Sequence, residues 1–257
     1  MSDNQKLQHQ AKNSLSNYRK SSGIVLRGLA NILDAKSGNK LDDIYAKAQA
    51  ELNNKSYDIA FKYFLEAAEQ GHSNSQYHVG WLLLNGLGVE ENPITAIEWL
   101  IKAANQGNLN AQYDIGDAYF FGCGAKEDEE EAVRWYEKSA IRGLSDAQNA
   151  LGLCYLHGRG VKENQELAVK WLIRSAEQNN AAAQNHLGDC YLVGWGVESD
   201  KDKAFYWYSR IAEKDITTEK LNLVECYYQG WGGGVKMMIM LLSGMNMQRI
   251  KGIRTHY

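Results

Sequence analysis

Tryptophan returns every 36 residues in the middle of this chain. Trp99, Trp135, Trp171 and Trp207 keep that interval, and so do Gly80, Gly116, Gly152 and Gly188, and the series Gly88, Gly124, Gly160, Gly196 and Gly232. An alanine stands three residues before each Trp (Ala96, Ala132, Ala168, Ala204) and another five after it (Ala104, Ala140, Ala176, Ala212). A period between about 20 and 50 residues means stacked supersecondary units, each too small to bury its own apolar face. The core of such a chain exists only between neighbours.

Within one unit, Ala111, Ile115, Ala118 and Tyr119 recur at helical spacing and stop at Gly122-Cys123-Gly124. Ala132, Val133, Trp135, Tyr136 and Ala140 then recur and stop near Gly143. Each unit therefore reads as a helix hairpin. The chain reads as all-α, a right-handed superhelical α-solenoid of stacked 36-residue helix-turn-helix repeats. Glycine after a helix supplies a left-handed cap that other residues resist. Gly80 and its equivalents sit inside helices, where Gly costs about 1 kcal/mol against Ala, so they imply close helix packing. The four spaced tryptophans are assigned to the core between repeats, and the acidic stretch Glu127 to Glu131 to a solvated helix start that opposes the macrodipole.

One unit shows the pattern in full: Ala147-Gln148, Gly152, Tyr155, Gly158-Arg159-Gly160-Val161, Ala168 and Trp171. It resembles the Sel-one-like repeat family, relatives of tetratricopeptide repeats, over about residues 57 to 232. Tyr63 at the first Trp position and Ala60 before it suggest a degenerate first hairpin at roughly 41 to 70, and Asp215 and Val224 mark a weakening last unit. The resemblance implies an adaptor that assembles complexes, often in bacterial signalling or host contact, rather than an enzyme. It divides the chain into a polar, basic segment at 1–40, a repeat array at 41–232 and a tail at 233–257.

Charge differs along these segments. Residues 1 to 40 hold seven Lys or Arg and two Asp, residues 41 to 235 hold 17 basic and 29 acidic side chains, and residues 236 to 257 hold four basic and no acidic ones. Binding to phosphate backbones needs clustered cations, which the acidic body lacks, so the expected partner is a protein or peptide, a basic one suiting best, and not a nucleic acid. The longest apolar run is Met237 to Leu242 and the mean hydropathy is -0.48, too little for a membrane span. No apolar stretch of a secretory signal appears within the first 20 residues, which points to the cytoplasm, with export by a route lacking a classical signal left open. Cys154, Cys190 and Cys226 fall at equivalent positions in successive units, about 9 to 10 Å apart if the helices stack, too far for a disulfide.

The two ends depart from the array. Val25, Leu26, Leu29, Ile32 and Leu33 share one face of a helix expected at about 22–36, which would cap the first repeat's apolar side. The alternative is a basic helix for a membrane surface or a partner. The tail carries five of the chain's six Met and no acidic residue. Reading its codons one base early can recover a Trp at Ser243-Gly244, then Ala-Ala four and five residues on and Gly eight on, the offsets of Trp99, Ala103, Ala104 and Gly107. The expectation is a tail encoded out of frame after a small insertion or deletion near Gly232 to Gly234. That would leave the array truncated, with an uncapped apolar end open to self-association.

Catalytic chemistry finds little footing. The six histidines, His9, His72, His78, His157, His186 and His256, include no pair three or four apart, so no helix offers two imidazoles to one metal. No nucleophile elbow or phosphate loop occurs, and the Gly-Xaa-Gly pairs join helices, so neither catalytic residue, metal nor cofactor is assigned. Cysteine-rich relatives discussed as hydrolases would carry cysteine where Ala104 and Gln112 stand; His157 near His186 is the remaining candidate for an active group.

What remains is binding. In tetratricopeptide-like hairpins the first helix lines the concave face, and the positions that vary between units are His78, Asp114, Ala150, His186; Trp81, Asp117, Leu153, Asp189; and Asn85, Phe121, His157, Val193. Spacings of three and four place them on one helix face. With Tyr77, Tyr113, Asn149 and Asn185 they form the proposed groove, in which amides hold a peptide backbone, carboxylates meet a basic partner, and Trp81 and Phe121 act as anchors. The competing reading puts Tyr77, Tyr113, Trp81 and Phe121 in the core between repeats. A second functional reading is a bacterial effector that engages a host protein.

Overall fold

Glycine and short polar linkers cut the chain into helices of nearly equal length. A computed structural model describes residues 40–212; the helix expected at 22–36, Cys226 and the 233–257 tail lie outside the described residues. A helix at 40–53 (α1) is followed by α2 (Tyr57–Glu69), α3 (Ser73–Asn85), α4 (Pro93–Asn105), α5 (Leu109–Phe121), α6 (Glu129–Ile141), α7 (Ser145–His157), α8 (Gln165–Glu177), α9 (Ala181–Val193) and α10 (Lys201–Ala212). Regular structure among the described residues is entirely helical. One unit ends at Asn92 and a second begins at Pro93. In the first, α2 packs against α3; in the second, each helix from α4 to α9 packs against its successor. This is the α-solenoid order that a short repeat imposes, because each hairpin buries its faces against the next one along.

Two turn designs alternate. The turns before α3, α5, α7 and α9 place Gly71, Gly107, Gly143 and Asn179 at positive φ. The following residue opens the next helix, and Asn108 and Asn180 cap it by accepting from the backbone N–H three residues on. A buried glutamine in the same helix secures the other side of the joint. Gln76, Gln112, Gln148 and Gln184 each donate to the carbonyl of Ala68, Ala104, Ala140 and Ala176, eight residues back, satisfying an orphan acceptor at the end of the preceding helix.

The turns after α3, α5, α7 and α9 carry the paired glycines. The first of each pair, Gly86, Gly122, Gly158 or Gly194, closes its helix in the left-handed region. The second lies against the opening residue of the helix one hairpin back. A methyl group on Gly124, Gly160 or Gly196 would enter the backbone carbonyl of Pro93, Glu129 or Gln165. These glycines therefore seat one repeat on the last.

The core follows the alanine frame. Ala132, Val133, Tyr136, Ala140, Ala147, Leu151 and Cys154 are buried together, and Ala168, Val169, Leu172, Ala176, Ala183, Leu187 and Cys190 repeat the arrangement one unit on. The buried cysteines occupy small apolar positions, and burial pushes the thiol of Cys154 up to about 12 and that of Cys190 to about 11. A thiol held protonated in this way is a poor nucleophile. The mid-helix glycines make room for the neighbouring helix: a methyl on Gly116 or Gly188 would enter the ring of Tyr136 or Tyr208, and one on Gly152 would meet Leu172 at 2.9 Å.

The tryptophans differ from their expected place. All four are half-buried, at the margin of the core, and the buried position is the next residue: Leu100, Tyr136, Leu172 and Tyr208. The apolar stripe of α6, for example, runs through Ala132, Val133, Tyr136 and Ala140, so Trp135 falls at its edge. Each indole is instead covered by the cation three residues on. Lys102, Lys138, Arg174 and Arg210 sit 3.8, 3.4, 4.6 and 5.5 Å from the ring centroids of Trp99, Trp135, Trp171 and Trp207.

Candidate functional site

In the second unit, the exposed side of α5 and α7 forms a pocket of about 330 Å³ with α6 as its floor. Seven residues of the sequence-derived groove line it: Tyr113, Asp117, Phe121, Asn149, Ala150, Leu153 and His157. Helical spacing explains the convergence, since Tyr113, Asp117 and Phe121 stand four apart on α5 and Asn149, Leu153 and His157 do so on α7. The pocket also contains Phe120, Tyr136, Cys154 and Arg159.

Its polar side is built around Asp117. The hydroxyl of Tyr136 donates to Asp117 Oδ1 over 2.6 Å, and the Tyr113 hydroxyl bonds to the same carboxylate. Burial raises the pKa of both phenols, and the adjacent carboxylate adds to the effect. Burial also raises Asp117, against the two phenolic hydrogen bonds that favour its ionised form. Asp114, one turn back, is pushed up to about 7, first by burial and then by the charges of Asp117 and Asp146. Asp146 accepts from Asn180 Nδ2 over 2.7 Å. Among the described residues no lysine or arginine pairs with any of the three carboxylates.

One helical turn further along α5 the lining is apolar. Phe121 ends α5 with 68% of its surface exposed, and its ring stands edge-on to Phe120 at 5.0 Å. Phe120 is covered in turn by the guanidinium of Arg159, 3.9 Å from the ring centroid, and that guanidinium pairs with Glu129 at the start of α6. His157 closes α7 and is exposed at the rim.

The other groove residues of this unit lie one repeat on. His186 Nδ1 lies 3.0 Å from Asn149 Oδ1, and burial lowers the pKa of this imidazole. Asp189 accepts from Tyr208 over 2.6 Å, the same pairing as Asp117 with Tyr136 two repeats earlier in the frame. Asn185 is half-buried beside His186 on α9.

In the first unit, His78 is half-buried among aromatic rings. Phe64 stacks on it at 4.5 Å, Tyr45 lies 5.8 Å away, and Tyr77 meets it edge-on at 5.1 Å. Gln49 Nε2 donates to His78 Nε2 over 2.7 Å, which places the imidazole proton on Nδ1, a buried atom without a hydrogen-bond partner. Trp81 is half-buried, and the exposed Asn85 donates to its carbonyl over 2.7 Å.

His78 yields a pH test. Burial, with the nearby His72, pushes it down from 6.5 to about 4. Between those values the unfolded chain binds a proton that the folded unit refuses, so its stabilising contribution is complete above pH 6.5 and is lost as pH falls towards 4. Thermal melts should show wild type losing about 1–3 kcal/mol over that interval relative to His78→Gln. Parallel losses in the two proteins would show that His78 does not carry the effect.

Tyr136 and Arg159 belong to the pocket but not to the sequence-derived groove. Tyr136 carries a usable signal, because the position after each Trp alternates Leu100, Tyr136, Leu172, Tyr208 in step with Trp81, Asp117, Leu153, Asp189. Arg159 carries none, since it lies in a turn and meets Glu129 only through the stacking of repeats.

Among the described residues no group of three or more His, Cys, Asp or Glu is placed to hold a metal ion, and no helix is long and apolar enough to cross a membrane. Packed helical hairpins with a pocket on their first helices define an α-helical repeat protein. The Sel1 repeat profile matches residues 54–72, 73–108, 109–144, 145–180 and 181–216, and the chain belongs to the Sel1 repeat family. Proteins of this family generally mediate protein–protein interaction.

The structure is similar to that of a Sel1 repeat protein from Oxalobacter formigenes, at 31% identity and a TM-score of 0.70, over 74% of this chain and 79% of that one. It is also similar to a protective antigen with an SLR fold present in uropathogenic Escherichia coli strains, at 30% identity and a TM-score of 0.67. That match spans 76% of this chain and only 42% of the antigen. An immunity protein from Pseudomonas aeruginosa, at 23% identity, TM-score 0.50 and 67% and 65% coverage, shares the fold alone. No curated protein matches the chain significantly.

Proposed function

We propose that this protein is a non-catalytic scaffold that holds a segment of a protein partner against the first helices of its hairpins. The observation that carries this reading is the pocket between α5 and α7, which is preformed, partly apolar and bordered by an exposed aromatic ring. Preformed helices would bind with little rearrangement. The surplus of acidic side chains between residues 41 and 235, 29 against 17 basic, favours a basic segment. The buried thiols and the internally bonded carboxylates support a role in binding over one in covalent chemistry.

Site-specific photocrosslinking tests the reading. A benzophenone amino acid at Phe121 should give a discrete adduct in cell lysate, whereas the same group at Ile141, 74% exposed at the end of α6 and outside the pocket, should not. An adduct confined to position 141, or equal labelling at both, would move the binding surface away from the first helices.

A further inference from the structure

We propose that the pocket between α5, α6 and α7 reads one arginine or lysine side chain of an extended peptide, together with an apolar side chain next to it in the peptide. This inference rests on the scaffold reading above and names what that scaffold recognises.

The pocket has two sides of different chemistry. On one, the Asp117 carboxylate is held in place by Tyr136 and Tyr113 rather than by a cation. An ionised carboxylate accepts about four hydrogen bonds, so two phenols leave capacity for a guanidinium or ammonium. Asp146 adds its charge to the same side, with Asp114 one turn back in the same field, and among the described residues no lysine or arginine pairs with any of the three. A bound cation would relieve their mutual repulsion, and the phenol rings would flank its aliphatic stem.

On its apolar side, one helical turn along α5 from Asp117, Phe121 presents an open aromatic surface next to Phe120. The one cation in the pocket, Arg159, is already committed to Glu129 and to the face of Phe120, so it walls the apolar side and does not neutralise Asp117. A carboxylate beside an aromatic ridge is complementary to a basic residue beside an apolar one. A purely anionic ligand would meet repulsion, and a purely apolar one would bury Asp117 without a new partner.

Selection from a phage-displayed library of random nonapeptides tests this on the whole chain. Peptides enriched on wild type are expected to carry Arg or Lys with an aliphatic or aromatic neighbour. Replacing that Arg by citrulline, which keeps the shape and removes the charge, should weaken binding at least tenfold. The double variant Asp114→Asn/Asp117→Asn should abolish the difference between the two peptides, with circular dichroism reporting its fold. Phe121→Ala removes an exposed ring, so it tests the apolar side without endangering the fold, and it should weaken binding of the same peptide. Enriched peptides without a basic residue, or equal affinity for arginine and citrulline forms, would overturn this inference and leave the scaffold reading standing. Failure to enrich any peptide would overturn both.

Discussion

Alanine at Gly160 is expected to cost more than about 3 kcal/mol, while alanine at Gly158, two residues away, costs about 1–2 kcal/mol. The two glycines have almost the same backbone conformation, φ +67 and +66, so the strain of placing an L-residue in the left-handed region is common to both. They differ in surroundings. A methyl on Gly158 meets Glu163 Cβ at 3.3 Å, part of an exposed side chain, whereas one on Gly160 enters the backbone carbonyl of Glu129. Backbone inside a helix cannot step aside, so the turn after α7 must lift off the start of α6. Urea titration followed by circular dichroism measures the difference, and melting temperature should fall by roughly 10 °C for Gly160→Ala in a chain of this size. Equal losses at the two positions would show that the turn moves freely and that the contact does not seat the repeats.

The second large effect lies in the aspartate–tyrosine pair. Asp117→Leu strands the Tyr136 hydroxyl in the core and should cost about 2–3 kcal/mol. Tyr136→Leu removes a donor from Asp117 and leaves a cavity, costing about 3–4 kcal/mol. The double variant should cost about 1–2 kcal/mol less than the sum, because two apolar groups facing each other leave nothing unsatisfied. The protein contains its own precedent: one repeat on, Leu153 packs against the cluster that holds Leu172 at the same two positions. Additive losses in a double-mutant cycle would mean that the 2.6 Å hydrogen bond contributes nothing beyond packing.

This pair also shows where reading the sequence stops. Asp117 stands out as a varying position able to meet a basic partner, and it does line the pocket. Its bond to Tyr136, 19 residues away across the hairpin, stays hidden because a period reports equivalent positions, not partners. The alternation of Asp with Trp or Leu, in step with Tyr and Leu, contains the pairing, and only a comparison of two columns at a distance of 19 draws it out. His78 illustrates the same limit, since its burial comes from Tyr45, Gln49 and Phe64 on two other helices.

Sequence by itself determined the class of fold, the glycines that end the helices and the residues that must stay small. These are local or periodic properties: a glycine in the left-handed region, an alanine stripe and a 36-residue interval are written in the order of the residues and need no knowledge of neighbours. Tertiary structure decided which side chains meet. It placed the tryptophans at the margin under a cation, because the apolar stripe is centred one residue further on. It joined Arg159 to Glu129, 30 residues away, because stacking brings together residues about one repeat apart that share no local signal. A repeat specifies its neighbour's position through packing, and the chemistry of the surface arises where unlike residues occupy like positions.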